Sequence, residues 1–196
     1  LFYLHGRIVE GSDGRPLSRD HGPYEYEKIL QAFADAGFAV ISRVRPKDAD
    51  VEKYARKVAG WVKTLLEHGV FPAQIMVVGA SKGGVIAARV SNILKNPDIR
   101  YAILAGFFRK LHDNPKFALW GHVLSVYDED DEFEMAPELF FVHAEGLAKS
   151  RSIVTETGLG HGLIFRPRPE WLDPVIRWSG IKEAAGPETG SGQSMR

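Results

Sequence analysis

The chain has 196 residues, enough for one domain around one sizeable core. Lys plus Arg and Asp plus Glu each number 25, so the formal net charge is zero, with no electrostatic case for nucleic acid or an anionic membrane as the main partner. The lack of cysteine excludes disulfides, thiolate zinc sites and a cysteine nucleophile, and no apolar run approaches the roughly 18 residues needed to span a bilayer.

Leu1–Leu4 opens the chain as a strand, without a methionine before it. Loss of an upstream segment, a secretory signal included, therefore stays open, and with it the compartment. Tyr26, Ile29, Leu30 and Phe33 follow helical spacing, and Gly37 can end that helix in a left-handed conformation. Phe38–Val44 reads as a second strand. Val51, Tyr54, Ala55, Val58, Trp61, Val62, Leu65 and Leu66 form a longer helical stripe, closed near Gly69. A third strand, Ile75–Val78, precedes a helix marked by Ile86, Val90, Ile93 and Leu94. Tyr101–Ala105 and Val123–Tyr127 are the fourth and fifth strands. Pro137 through Ala148 reads as a helix with proline in its first turn, Ser152–Thr155 as the sixth strand, and Trp171–Trp178 as a last helix that Pro174 should kink or cut short. The strand runs are β-branched or aromatic, end near Gly, Pro or Asp, and several are apolar almost throughout, as in a parallel sheet covered on both faces. This alternation predicts an α/β fold: a mostly parallel sheet of about six strands flanked by helices on both faces. Residues 1–183 are expected to form one domain and the Gly/Ser/Glu-rich residues 184–196 a disordered tail.

The third strand runs into Gly79-Ala80-Ser81-Lys82-Gly83-Gly84, which opens the third helix. This is G-x-S-x-G in a strand–turn–helix context. A serine hydroxyl must project from a sharp turn at the carboxyl end of the sheet, and the glycines leave room for neighbouring backbone. The amide of Lys82 would then sit at a helix start, facing a developing oxyanion. The rival meaning is the nucleotide loop of a nicotinamide-dependent short-chain reductase. Three features count against it: Val85 stands where the third glycine is needed, the loop follows the third strand rather than the first, and the Tyr24-to-Lys28 pair precedes the loop instead of following it.

With these motifs the chain resembles the α/β-hydrolase superfamily, and its compact, lid-free layout is similar to the dienelactone hydrolase, carboxylesterase and cutinase-like branches. The resemblance spans roughly Leu1 to Gly180 but lacks the antiparallel strands that usually precede the His-Gly strand. It implies that His5-Gly6-Arg7 is an oxyanion loop, with the Arg7 amide as second donor beside Lys82. It also implies a late histidine as base, and His161 within Gly158-Leu159-Gly160-His161-Gly162 fits better than His112 or His122, beside the fifth strand, or His143, inside a predicted helix. The acid should come from the turn Asp128-Glu129-Asp130-Asp131-Glu132; the family pattern favours Asp131, with Asp128 as alternative and Asp130 behind. Chain order is then Ser, Asp, His.

His5, Gly6, Phe107 and Phe108 are expected to contact substrate, and Phe117 and Trp120 to line an acyl or aryl pocket or pack in the core. Arg43, Arg45 and Lys47 hint at an anionic substrate group. The expected activity is hydrolysis of a small-molecule ester or thioester through an acyl-enzyme, with no cofactor and no metal. The alternatives are the reductase and a non-catalytic binding domain on the same scaffold. Oligomeric state stays open.

Overall fold

The computed structural model describes residues 1–113, 117–142 and 144–180. The expectations for the tail and for His143 lie outside these. In chain order the elements are β1 (Phe2–Leu4), β2 (Leu17–Ser18), β3 (Gly22–Pro23), α1 (Tyr26–Asp35), α2 (Val51–Glu67), β4 (Met76–Ala80), α3 (Lys82–Leu94), β5 (Arg100–Leu104), α4 (Arg109–His112), β6 (Trp120–Asp128), α5 (Glu138–Phe141), β7 (Gly146–Thr155) and α6 (Pro169–Trp178). Five strands pair in parallel in the order β1-β4-β5-β6-β7. A small antiparallel ribbon, β2 with β3, stands apart.

Strand alternation splits the core in two. Phe2 and Leu4 of β1, Val77 of β4 and Ile103 of β5 face α2 and α3, where Val58, Val62, Ile86 and Val90 are fully buried. Tyr3, Val78, Leu104 and Val126 face the other way, against Ile29 and Phe33 of α1 and Trp171 and Val175 of α6. With both faces covered, a strand such as Met76–Ala80 is buried at every position. The sheet is thus parallel with helices on both faces. Among the described residues no helix is long and apolar enough to cross a membrane.

Three local expectations are corrected. Phe38–Val44 is not a strand of the sheet but runs beside β1 with a single bridge, Phe2 to Ile41. β1 has only three residues, so the ladder stops after Tyr3 N–H donates to Ile41 O and Ile41 N–H to Leu1 O. Beyond that, the Ser42 hydroxyl, rather than an amide, donates to the Tyr3 carbonyl at 2.7 Å. The helix expected over Pro137–Ala148 shrinks to the single turn α5, because β7 already begins at Gly146 to pair with the nine-residue β6. A side chain at Gly146 would lie 2.3 Å from the Trp120 ring, so glycine lets this strand pass over the indole. Finally, of the two outcomes expected at Pro174 the shortening does not occur: α6 continues through it to Trp178, with Trp171 and Val175 anchoring both sides of the proline in the core.

Candidate active site

β4 enters α3 through a turn whose backbone is defined by close approach. A Cβ on Gly79 would lie 2.1 Å from the Gly83 carbonyl oxygen, and one on Gly83 only 1.8 Å from the Leu4 oxygen. No other residue fits either place without moving backbone. Between them Ser81 is held at φ 53°, ψ −121°, a region costly for a side-chain-bearing residue, about 1–3 kcal/mol. Its amide donates to Leu104 O at 2.8 Å, and its carbonyl accepts from the Gly84 and Val85 amides at 2.8 and 3.2 Å. Hydrogen bonds on both sides of the residue keep the turn sharp.

The loop after β7 brings His161 to the same point. Its Nε2 lies 2.9 Å from Ser81 Oγ, and its Nδ1 lies 2.7 Å from Asp131 Oδ2. The Asp131 side chain is fully buried and its other oxygen, Oδ1, accepts from the Phe133 amide at 3.1 Å. Against a carboxylate Nδ1 is the donor, which leaves the Nε2 lone pair toward the serine hydroxyl. Gly160 makes the loop possible: its φ is +51°, and a Cβ there would come within 2.9 Å of the Asp130 carbonyl oxygen.

Asp128, the alternative acid, faces elsewhere. Its Oδ2 accepts from the Thr155 hydroxyl at 2.8 Å, the Thr157 amide at 2.9 Å and the Thr157 hydroxyl at 2.6 Å, and its Oδ1 from the Gly160 amide at 3.0 Å. Burial pushes this carboxyl up, but the bonds from Thr157, Thr155 and Gly160 outweigh it and hold the pKa at about 2. Asp128 thus fastens the loop that carries His161. Asp130 donates its backbone amide to Asp128 Oδ1, at 3.4 Å.

Around the serine the surface is hollowed on three sides. A cleft of about 670 Å³ runs between α2 and α3, past Val51, Val85, Phe108 and Leu111. A second of about 710 Å³ lies over Phe133, Met135 and His161. A smaller one, about 190 Å³, lies between Gly6, Tyr24 and Ile164. Ser81 and Arg7 border all three. Gly6 is close to the serine: a Cβ on it would stand 3.6 Å from Ser81 Cβ. Among the described residues no cluster of His, Asp or Glu is arranged to hold a metal ion.

Several residues expected at a substrate surface are inside instead. His5 is fully buried; its Nδ1 lies 2.7 Å from Gly6 O, and its Nε2 accepts from the Arg45 amide at 3.0 Å. Phe107 is fully buried against Phe140 and Phe141, because Ala105, at φ 46°, turns the chain inward after β5. Arg45 is also buried, paired with Glu10 at 3.1 Å, so it cannot meet a substrate anion. Phe108, one residue on from Phe107, does line two of the clefts.

Glu134 was not foreseen. One oxygen accepts from the Phe107 amide at 3.0 Å, and the other is buried with no hydrogen-bond partner among the described residues. Burial, with the nearby Asp131 charge adding to it, pushes its pKa up to about 8. Only its nearness to the acidic turn in sequence could have drawn attention to it.

No family model and no curated protein sequence matches the chain. Solved structures do match over nearly its whole length. SOBER1 of Arabidopsis thaliana superposes with a TM-score of 0.58 at 15% identity, over 91% of this chain and 96% of that one. Esterase PE8 gives 0.56 at 16% identity, over 90% and 88%. A lipase-esterase related protein from Clostridium acetobutylicum gives 0.58 at 14%, over 90% and 93%. At such identities the likeness is one of fold: the chain has the α/β-hydrolase fold.

Proposed function

We propose that this chain is a serine hydrolase that cleaves carboxylic esters or thioesters through an acyl-enzyme. The observation that supports it most is the relay from Ser81 Oγ to His161 Nε2 at 2.9 Å and from His161 Nδ1 to Asp131 at 2.7 Å, with the serine on a positive-φ turn where three hollows meet. Esterase PE8 and the lipase-esterase related protein, whose names speak of ester chemistry, share the fold.

In this mechanism Ser81 Oγ attacks the acyl carbon while His161 Nε2 takes its proton. Asp131 keeps the other ring proton on Nδ1 and stabilises the imidazolium. The carbonyl oxygen becomes an oxyanion, received by the backbone amides of Lys82 and Arg7. Collapse breaks the bond to the alcohol or thiol, which leaves with the proton from Nε2. Water then repeats the sequence on the acyl-enzyme, and the acid and free Ser81 are regenerated. Lys82 is the first residue of α3, where an N–H has no intrahelical acceptor. Loss of one such donor typically costs a hundredfold or more, roughly. Gly6 borders the smallest of the three hollows and Phe108 the two larger ones, and these are the spaces open to the acyl and leaving groups. No cofactor is required, and the substrate is a small-molecule ester.

The test is labelling with a fluorophosphonate alongside turnover of p-nitrophenyl esters. One label per chain at Ser81 is expected, and Ser81→Ala should abolish both labelling and turnover. Labelling elsewhere, or turnover that survives Ser81→Ala, would overturn the proposal.

A further inference from the structure

Two buried ionisable side chains have no part in this mechanism. Glu10 has 2% of its side chain exposed and Arg45 none. Buried charge is tolerated only when paired and hydrogen-bonded, and the partners here are informative. Arg45 Nε donates to Glu10 Oε1 at 3.1 Å. Lys82 Nζ lies 2.8 Å from Glu10 Oε1 and 2.9 Å from Oε2. Lys82 follows Ser81 directly and is the residue whose amide faces the oxyanion in the proposed mechanism. At its other end Arg45 Nη2 donates to His5 O and, at 3.5 Å, to Gly6 O. The backbone of Arg45 is fixed too, by its amide on His5 Nε2 at 3.0 Å and by its carbonyl on the Gly11 amide at 2.8 Å. A continuous path of charges thus joins the first turn of α3 to the loop after β1.

Peptide geometry gives this path a consequence. The Gly6 carbonyl and the Arg7 N–H belong to one trans peptide and point in opposite directions. Three donors hold the carbonyl: His5 Nδ1 at 2.7 Å, the Val9 amide at 3.3 Å and the Arg45 guanidinium. The ring can donate from Nδ1 because its Nε2 already accepts from the Arg45 amide. Burial, reinforced by the Arg45 charge, lowers the His5 pKa to about 4, so the ring is neutral at neutral pH. With the carbonyl held on the buried side, the Arg7 N–H is turned toward the opposite side, where Gly6 and Arg7 border the hollow at Ser81.

We propose that Glu10 is a positioning residue: as hub of the Arg45–Glu10–Lys82 triad it holds the Gly6–Arg7 peptide and the first turn of α3 in fixed register, so that two amides from distant segments act on one oxyanion. This rests on the serine hydrolase mechanism. It accounts for a buried ion triad where an apolar cluster would serve stability as well. It also separates Glu10 from Asp131, which acts on the proton relay and not on the oxyanion.

The test uses the full chain with Glu10→Gln, and Lys82→Met as a second variant that removes one arm while leaving Glu10 paired with Arg45. All rates are referred to active sites titrated by fluorophosphonate, so that any unfolded fraction drops out. For Glu10→Gln, kcat on a p-nitrophenyl ester should fall about 10- to 100-fold, less than or equal to the loss of a whole oxyanion donor. KM should stay within about twofold, since ground-state contacts are untouched. The affinity of a trifluoromethyl ketone, which forms a tetrahedral adduct, should fall in parallel with kcat. The preference for an ester over its thiono (C=S) analogue should shrink, because sulfur uses those donors poorly. The pH at half-maximal activity should not move. Lys82→Met should show the same pattern at about 3- to 10-fold, and decides the matter if Glu10→Gln does not fold. Unchanged kcat per site and unchanged ketone affinity, with only a lower unfolding midpoint, would overturn the proposal while leaving the hydrolase mechanism intact. A wild-type chain that neither labels at Ser81 nor turns over esters would remove both.

Discussion

Replacing Asp131 by asparagine separates a chemical role from a structural one. The carboxylate makes two bonds of unlike kind: Oδ1 accepts from the Phe133 amide and Oδ2 faces His161 Nδ1. An asparagine of the same shape must keep its oxygen on the Phe133 side, since an NH2 there would meet another donor. Its NH2 then faces His161 and favours the tautomer with the lone pair on Nδ1 and the proton on Nε2. That proton points at Ser81 Oγ, so the ring cannot accept from the hydroxyl. A triad in this wrong tautomer loses about ten-thousandfold in kcat, equivalent to about 5.4 kcal/mol on the barrier. Stability should change little, because the turn keeps its Phe133 bond and its backbone bonds Asp131 N to Asp128 O and Glu134 N to Asp131 O. The assay is ester turnover per folded molecule, with folding followed by circular dichroism in urea. A loss of less than about tenfold, or a turnover loss matched by unfolding, would refute this account of the relay.

The opposite pattern is expected at Asp128. Asp128→Ala strips four close donors of their acceptor and should cost about 3 kcal/mol or more in urea unfolding, with turnover falling only as the His161 loop loosens. Because the folded pKa is held at about 2, below the ordinary 3.8, the stabilisation is present above the ordinary value and is lost as pH falls through about 2. The variant's acid-unfolding curve should therefore be flatter than the wild type's over that window. Glu134 has the reverse sign. Its folded pKa of about 8 exceeds the ordinary 4.5, so its contribution is present in full below 4.5 and is lost as pH rises through about 8. Glu134→Gln, neutral throughout, should remove that decline in the urea midpoint between about pH 4.5 and 8, and a decline that persists would show that another group causes it.

The parts of the molecule legible in the sequence are those where one residue type has one physical job. Gly79 and Gly83 flank Ser81 because backbone oxygens stand where their side chains would be, and that need shows in the sequence as a spacing. His161 stood out because it sits among glycines after the last strand. Asp128, Asp130 and Asp131 could not be told apart so well, since three carboxylates on one turn differ only in direction. Direction was also what misled at Phe107 and Phe108: neighbours of one chemical kind, one goes to the core and the other to the clefts. The triad of Glu10, Arg45 and Lys82 left no local mark, because its members are 35 and 37 positions apart and their pairing exists only when β1 lies beside β4. Likewise β7 could not be seen to begin at Gly146, since the choice between helix and strand there depends on the Trp120 ring of another element.

The backbone at Ser81 has a meaning beyond the geometry of one hydroxyl. A serine left to itself would relax toward ordinary angles, and here it is kept from doing so by partners drawn from β5 and α3, with β1 pressed against the turn. The turn at Ser81 is therefore like a sprung latch whose tension is shared among β1, β5 and α3.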